Sequence, residues 1–407
     1  MPIYRLENVV QPYAWGSKTA IADLLGQPGP TREPQAELWL GTHPKGPSKV
    51  IVDDDRIPLQ QLIEGHPHDI LGAYVAGRFG NILPYLFKVL AAARPLSIQA
   101  HPSKRQAEAG FSKENREKKE LDAPDRNYRD DNHKPEIICA LTPFWGLNGF
   151  RPVAVAADLL TPVCPMILKD ALQDLKNAGA DGLKLFFTAM MTLRTDDRKT
   201  AVLSMMERAM PLAGRSPVYR WMVKLARAYP ADMGILGPAL LNLICLAPGQ
   251  AMYLPAGQLH AYLDGVGIEL MANSDNVLRG GLTPKHVDVP ELLRVIRFVE
   301  TTVEIINAER LRPAEFGYDC PAAEFFLSVI KTTKRQPFFS PSTRGVEMLL
   351  CTAGEGRLDD GDPSEPLSVK KGDSFLVPAC LDTYTIRGDL TLYKATVPRS
   401  STDFQVV

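Results

Sequence analysis

Gln99, His101, Glu136 and His260 are the side chains in this sequence whose types and spacing could bind a metal ion. One amide oxygen, two imidazoles and one carboxylate make a four-ligand set suited to zinc. His260 closes the run Pro248-Gly-Gln-Ala-Met-Tyr-Leu-Pro255-Ala-Gly257-Gln-Leu-His260. Residues 251–254 have the composition of a short strand, Pro255 and Gly257 make a bend, and His260 opens the next strand. In Leu96-Ser-Ile-Gln-Ala-His-Pro102 residues two apart share a strand face. Ser97, Gln99 and His101 therefore point one way, and Ile98 and Ala100 the other. Asn132-His-Lys-Pro-Glu136 supplies the carboxylate. A lone histidine in an apolar strand is more often a core residue than a ligand, and a neutral amide is a poor zinc ligand. It is the combination that points to one open cation site. Glu136 carries the only formal charge of the set, so bound Zn²⁺ keeps net positive charge. That suits polarising a substrate oxygen rather than holding a fold together.

The elements that must position these groups are mostly strands. The chain has 407 residues, more than one ordinary domain holds. Residues 37–41 and 50–52 read as short strands, and the apolar stretch 81–92 as a buried one. The segment 112–120 carries mixed charges on all sides. It reads as a solvated helix and loop, not a nucleic-acid patch, and its place between His101 and Glu136 makes it a candidate lid. From 152 to about 240 the pattern turns helical. Ile167, Ala171, Leu172 and Leu175 repeat at helical spacing, as do Val202, Met205, Met206 and Ala209, and again Trp221, Leu225 and Ala228. Strands are expected again from 241 to about 305 and through the tail. There, Gly372-Asp-Ser-Phe-Leu-Val-Pro378-Ala-Cys380-Leu-Asp-Thr383 echoes Gly249 to His260, with Thr383 where His260 stood. This predicts a second, degenerate barrel that has lost its metal ligand.

Composition sets limits. A net charge of −1 offers no global field to nucleic acid or an anionic membrane. No stretch is apolar for the length a bilayer needs, and the start lacks a signal-peptide stretch, so a cytoplasmic chain is expected. The six cysteines are scattered without a CxxC pair, which predicts buried reduced thiols. Among the other histidines, His43 reads as packing and His66 and His68 as an exposed turn. A monomer is the expected state.

At this point the chain resembles the type I mannose-6-phosphate isomerases (phosphomannose isomerases). The pieces that carry the likeness are Gln11-Pro-Tyr-Ala-Trp-Gly16, Ala36-Glu-Leu-Trp-Leu-Gly-Thr-His-Pro44, Leu83 to Leu90, Leu96 to His101 and Asp131 to Glu136. Pro255 to Tyr262, Gly267-Ile-Glu-Leu-Met271 and Ser274 to Lys285 complete them. The resemblance implies a zinc enzyme, one Zn²⁺ per chain, that interconverts mannose 6-phosphate and fructose 6-phosphate. It implies a mainly β chain with a helical insertion, in three regions. These are a cupin-like, jelly-roll-like catalytic barrel from residues 1–151 and 241–320, a helical domain at 152–240, and a second, degenerate jelly-roll-like barrel at 321–407. It also carries the ligand assignment over to Gln99, His101, Glu136 and His260.

Aldose–ketose isomerisation opens the sugar ring, moves a proton between C2 and C1, and stabilises an enediolate oxygen meanwhile. Arg279 is the candidate to share that stabilisation with zinc. It stands between Asn276 and Gly280-Gly281, a pair that lets backbone approach a ligand. Lys134 and His133 neighbour Glu136, and either could shuttle a proton if the metal's charge tunes it. Glu269 is a further possible base or hydroxyl acceptor. For the phosphate, Lys88 inside an apolar strand, Ser97 on the ligand face and Lys285 after the glycine pair are candidate donors. Asp275 joins them as a substrate contact. Two other functions compete. An iron oxygenase of the same barrel type would favour more histidine ligands or a face of two histidines and a carboxylate with open positions; the Gln99 ligand and the basic residues for phosphate point away from it. A sugar-phosphate-binding cupin without catalysis would tolerate loss of a ligand or of Arg279, and neither is lost.

Overall fold

The structure, a computed structural model, describes residues 1–361 and 366–398. Two antiparallel sheets dominate it, each with the same order of strands. The first runs Val9–Gln11, Glu37–Leu40, Tyr85–Ala92, His260–Ala272, Glu136–Ala140, Gln250–Leu254, and ends on the edge strand Ile306–Asn307. The second runs Glu309–Arg312, Glu315–Tyr318, Phe326–Thr332, Thr385–Thr396, Glu347–Asp359, Ser374–Val377 and Tyr4–Glu7 in the matching order, and is extended beyond Tyr4–Glu7 by Lys49–Val52 and Asp55–Pro58. The chain thus contains a duplication in which the first strand of each half completes the other half's sheet. Sheet pairing crosses the expected division at residue 320, because 309–318 and Tyr4–Glu7 both lie in the second sheet.

Alternation along the strands sorts their side chains into two compartments. Phe87, Val89, Ile137, Cys139, Ile268 and Leu270 of the first sheet pack against Leu327, Val329, Met348, Leu350, Tyr393 and Ala395 of the second. The alternate residues, among them Leu90, Ile138 and Ala140, fill the interior of the first barrel with Met252, Leu254 and Tyr262. Lys88, Glu136 and Glu269 occupy that same set of alternate positions.

The echo between the halves is real, with a slip of two residues. Gly249 and Gly372 both have positive φ (86° and 92°) and start equivalent strands. Beyond the turn, however, Thr385 pairs with Phe339 as His260 pairs with Gln99. Thr385, not Thr383, is the counterpart of His260, because the second turn is longer.

The helical block is present from Val153–Leu160 through Lys169–Thr192, Thr195–Ala209 and Pro217–Ala228. Leu172, Leu175, Val202, Met205, Trp221 and Leu225 are buried in its core. Ile167 and Ala228 are exposed, because Ile167 lies in a short 3₁₀ turn and Ala226 takes the buried place. Within the segment expected to be strands up to 305, Val289–Val295 is a helix; Asp288 caps it by accepting from Glu291 N at 3.0 Å. The charged segment is the end of a helix, Lys104–Arg116, opened by a Ser103/Gln106 capping box. Three of the six free cysteines (139, 164 and 351) are buried, while Cys245 and Cys380 are exposed. Among the described residues no helix is long and apolar enough to cross a membrane.

Candidate metal centre

Three groups of the proposed ligand set, His101, Glu136 and His260, converge in the first barrel, with one ligand atom from each within 4.8 Å of the others. All three are buried to within 1% of full burial. Strand register delivers them. His260 lies opposite Gln99 on one side and Asn148 on the other, and Glu136 opens the strand that pairs with Leu254 and Met271. The Gly257 backbone N–H donates to the His101 carbonyl at 2.8 Å, so the bend before His260 is tied to the strand bearing His101. Gly257 has a φ of 77°, and a Cβ there would sit 2.8 Å from Arg297 Cγ, so only glycine fits this bend.

The imidazoles are oriented for a cation. His101 Nδ1 is 2.7 Å from the Asn276 carbonyl and His260 Nδ1 is 3.0 Å from that of Gln258. Each Nδ1 therefore carries the hydrogen and donates it, leaving a lone pair on Nε2. Both Nε2 atoms are buried without a hydrogen-bond partner and lie 3.4 Å from the Glu136 oxygens. Orphaned acceptors at that depth are costly unless a ligand satisfies them. The donor set fits a zinc-like ion. Burial, reinforced by Lys134, pushes the His101 imidazole down to about 4, which keeps it neutral. Burial alone would raise the Glu136 carboxyl, but the Lys134 ammonium leads the opposing pull, and the carboxyl is held well below the ordinary range.

Gln99 lies directly opposite both His260 and Arg279. Opposed residues on neighbouring strands share a face, so Arg279, Gln99 and His260 form one row. Ile98 and Ala100 are buried in the core on the other side, as the alternation predicts. The loop that follows Arg279 is pinned twice to the ligand segment, by Ile98 N to Gly281 O at 3.0 Å and Gly280 N to Ile98 O at 2.8 Å. Gly281 serves packing and not a ligand. Its φ is 124°, and a Cβ would meet Asp232 Oδ1 and Gly234 Cα at 2.9 Å. Asp232 accepts from Thr283 N at 3.1 Å and from Gly234 N at 2.7 Å, so the helical block braces this loop.

The remaining candidates separate into distinct surroundings. Lys134 Nζ is 2.8 Å from Glu136 Oε1, despite the intervening Pro135. His133 is turned elsewhere, with Nε2 2.7 Å from Glu324 Oε1. Lys88 is enclosed, its Nζ 2.8 Å from Glu269 Oε2 and 3.7 Å from Glu37 Oε2. Those carboxylates overcome burial and raise its affinity for the proton, while burial holds the Glu269 carboxyl above its ordinary value in spite of Lys88. Asp275 bridges Lys45 Nζ at 2.7 Å and His43 Nε2 at 3.4 Å, two contacts that outweigh burial and keep it ionised. Ser97 is half-buried and Lys285 exposed. Burial lowers the Lys285 ammonium, and Arg279, Arg129 and Lys45 lower it further. The same kind of pressure, burial first and then Arg129, acts on Arg279. Arg279, Arg129 and Lys45 thus crowd positive charge upon Lys285, a local field suited to an anion. Arg129 was missed in the sequence because it sits in irregular chain just before the 131–136 motif, with no spacing to set it apart.

The comparisons with known proteins agree with this geometry. The family pattern described as phosphomannose isomerase type I, catalytic domain, matches residues 3–153. Mannose-6-phosphate isomerase of Escherichia coli (strain K12) is 39% identical over 389 residues, covering 94% of this chain and 97% of that protein. The Homo sapiens mannose-6-phosphate isomerase is 37% identical over 359 residues, covering 81% of this chain and 82% of its own length. A zinc-bound crystal structure of mannose 6-phosphate isomerase superposes with a TM-score of 0.88 at 36% identity, covering 97% of this chain and 99% of the other.

Proposed function

The chain belongs to the type I phosphomannose isomerases, and on that premise we propose that it interconverts mannose 6-phosphate and fructose 6-phosphate with one zinc ion. The observation that carries the reading is the pair of buried Nε2 lone pairs on His101 and His260, both aimed at Glu136. Gln99, His101, Glu136 and His260 would hold the ion. Zinc held there would supply a Lewis-acid charge for a sugar oxygen.

The chain's own groups account for the rest. Arg279, in the row of Gln99 and His260, stabilises negative charge on the enediolate oxygen. Arg279, Arg129, Lys285 and Lys45 draw in the phosphate, and Ser97 adds a hydroxyl from the ligand face. Lys134, next to Glu136, is the favoured proton carrier. His133, committed to Glu324, takes a positioning part, and so does Asp275 through His43 and Lys45. Glu269 and Lys88 neutralise each other in the barrel interior and hold the shape of the floor. For this purpose the chain divides into a metal-bearing region (1–151 and 241–320), a helical block (152–240) and a second barrel (321–407). The second barrel borrows the strands Tyr4–Glu7, Lys49–Val52, Asp55–Pro58, Glu309–Arg312 and Glu315–Tyr318.

A coupled isomerase assay on mannose 6-phosphate, run before and after chelation, tests the function. Activity that disappears with chelator and returns with zinc is expected. Oxygen consumption by an iron-loaded protein, or sugar-phosphate binding without turnover, would replace this reading with one of its competitors.

A further inference from the structure

The duplication gives every residue of the metal centre a counterpart in the second barrel. Gln99 corresponds to Phe339 and His260 to Thr385, since each pair is matched across equivalent strands. Two residues on from Gln99, His101 corresponds to Pro341. Glu136, opposite Leu254 and Met271, corresponds to Glu347, opposite Val377 and Thr396. Of the four ligands only the carboxylate survives.

That carboxylate is 2% exposed and cannot be left there without a positive partner. Its partner is Lys394, whose Nζ lies 3.0 Å from Glu347 Oε1 and 2.6 Å from Glu315 Oε1. Tyr384 donates its hydroxyl to Glu347 Oε2 at 2.8 Å, as Tyr262 does to Glu136 Oε2 at 3.5 Å. Ser328 donates to Glu315 Oε1 at 2.8 Å, and Arg312 Nε is 3.1 Å from Glu315 Oε2. By register Lys394 stands where Glu269 stands, and Ser328 where Lys88 stands. Glu315 stands where Glu37 stands, two residues before the partner of that same position. The buried row Glu37, Lys88, Glu269, Glu136 of the first barrel has become Glu315, Ser328, Lys394, Glu347. The first row has three carboxylates against the ammonium of Lys88, with Lys134 reaching Glu136 from outside the row. The second has an ammonium lodged between two.

We infer that Lys394 is the resident cation of the second barrel: its ammonium, held between Glu315 and Glu347, takes the part that a metal ion takes beside Glu136, so this barrel binds no metal. The inference rests on Glu136 being a metal ligand. Its corollary is that the surroundings still suit a cation once the ammonium is gone. Glu315, Glu347, Ser328 and Tyr384 would offer oxygen donors only, a set for a hard divalent ion such as Mn²⁺ and not for zinc.

The test is Mn²⁺ binding to the zinc-loaded protein, followed by electron paramagnetic resonance, for wild type and Lys394→Ala. Wild type should take up no Mn²⁺ in the second barrel. Lys394→Ala should take up one ion per chain and gain thermal stability from it. Mn²⁺ bound in the second barrel of the wild type, or a folded Lys394→Ala that binds none, overturns the inference. Should Lys394→Ala not fold, the double variant Glu347→Gln/Lys394→Met decides. It removes one charge of each sign at nearly constant volume, so it should fold, keep one zinc and retain wild-type kcat. Its failure to fold would make Lys394 a packing residue and end the proposal. Failure of the metal-centre reading is seen separately, as wild-type protein that holds no zinc.

Discussion

Arg279 and Gln99 face each other across one antiparallel strand pair, and Gln99 faces His260 across the next. The guanidinium therefore belongs to the same sheet surface as Gln99 and His260, two of the proposed metal ligands. Replacing Arg279 with alanine should lower kcat by about 10²–10³, the usual cost of losing one charge-stabilising donor. Zinc content, measured by atomic absorption, should stay at the wild-type level. Loss of zinc together with activity would make Arg279 part of the scaffold.

His260→Ala removes one of the two orphaned lone pairs. The expected result is protein without zinc and without isomerase activity, still folded by circular dichroism. A variant that kept full activity would dismiss the site.

Lys88→Met addresses the buried row. It leaves Glu37 and Glu269, 7% and 3% exposed, without their shared cation. Stripping one partner from such a group typically costs about 3–5 kcal/mol. A marked fall in melting temperature is expected, partly reversed by adding Glu269→Gln. A variant of unchanged stability with a raised KM would instead return Lys88 to the phosphate.

Asp232 belongs to the helical block and touches no ligand of the metal, yet it holds the Gly281–Thr283 backbone. Asp232→Ala should loosen the loop between Arg279 and Lys285. KM for the phosphorylated sugar should rise by about tenfold, the equivalent of 1.4 kcal/mol, with zinc retained. Equal KM values would show that the loop stands without this brace.

Acid should weaken the second barrel in a defined window. Burial opposes ionisation of Glu315, but Lys394 and Arg312 prevail and hold its pKa below the ordinary 4.5. The unfolded chain therefore binds a proton at this position before the folded one does. The stabilisation is fully present above the ordinary value and is lost as the pH falls from there through the depressed one. Thermal melts between pH 6 and 3 should show a steeper acid limb for wild type than for Glu315→Gln. Parallel curves would assign acid lability to other groups.

The convergence of His101, Glu136 and His260 was legible because strand alternation and a Pro–Gly bend are local signals, and both survive into the fold. The helical block was legible from its periodicity, apart from its margins, where Ile167 fell into a 3₁₀ turn. What local pattern could not convey was partnership across long distances. Lys88 reads as an expensive lysine in an apolar strand, but Glu37 and Glu269, which neutralise it, come from 51 residues before and 181 residues after it in the chain. His133 and Lys134 are adjacent in sequence, yet one meets Glu324 and the other Glu136. Gly280-Gly281 announced a close approach without saying to what, and the answer was a turn from the helical block. The helix at 289–295 was overlooked because a single Asp cap carried it.

The exchange of first strands has a consequence for how the chain can be made. Tyr4 pairs with Leu376, so the earlier of the two segments waits for one far along the chain before its hydrogen bonds are met. Such distant closure slows folding and leaves a bare edge in the meantime. Neither half could be cut away cleanly, since each would depart with a piece of the other.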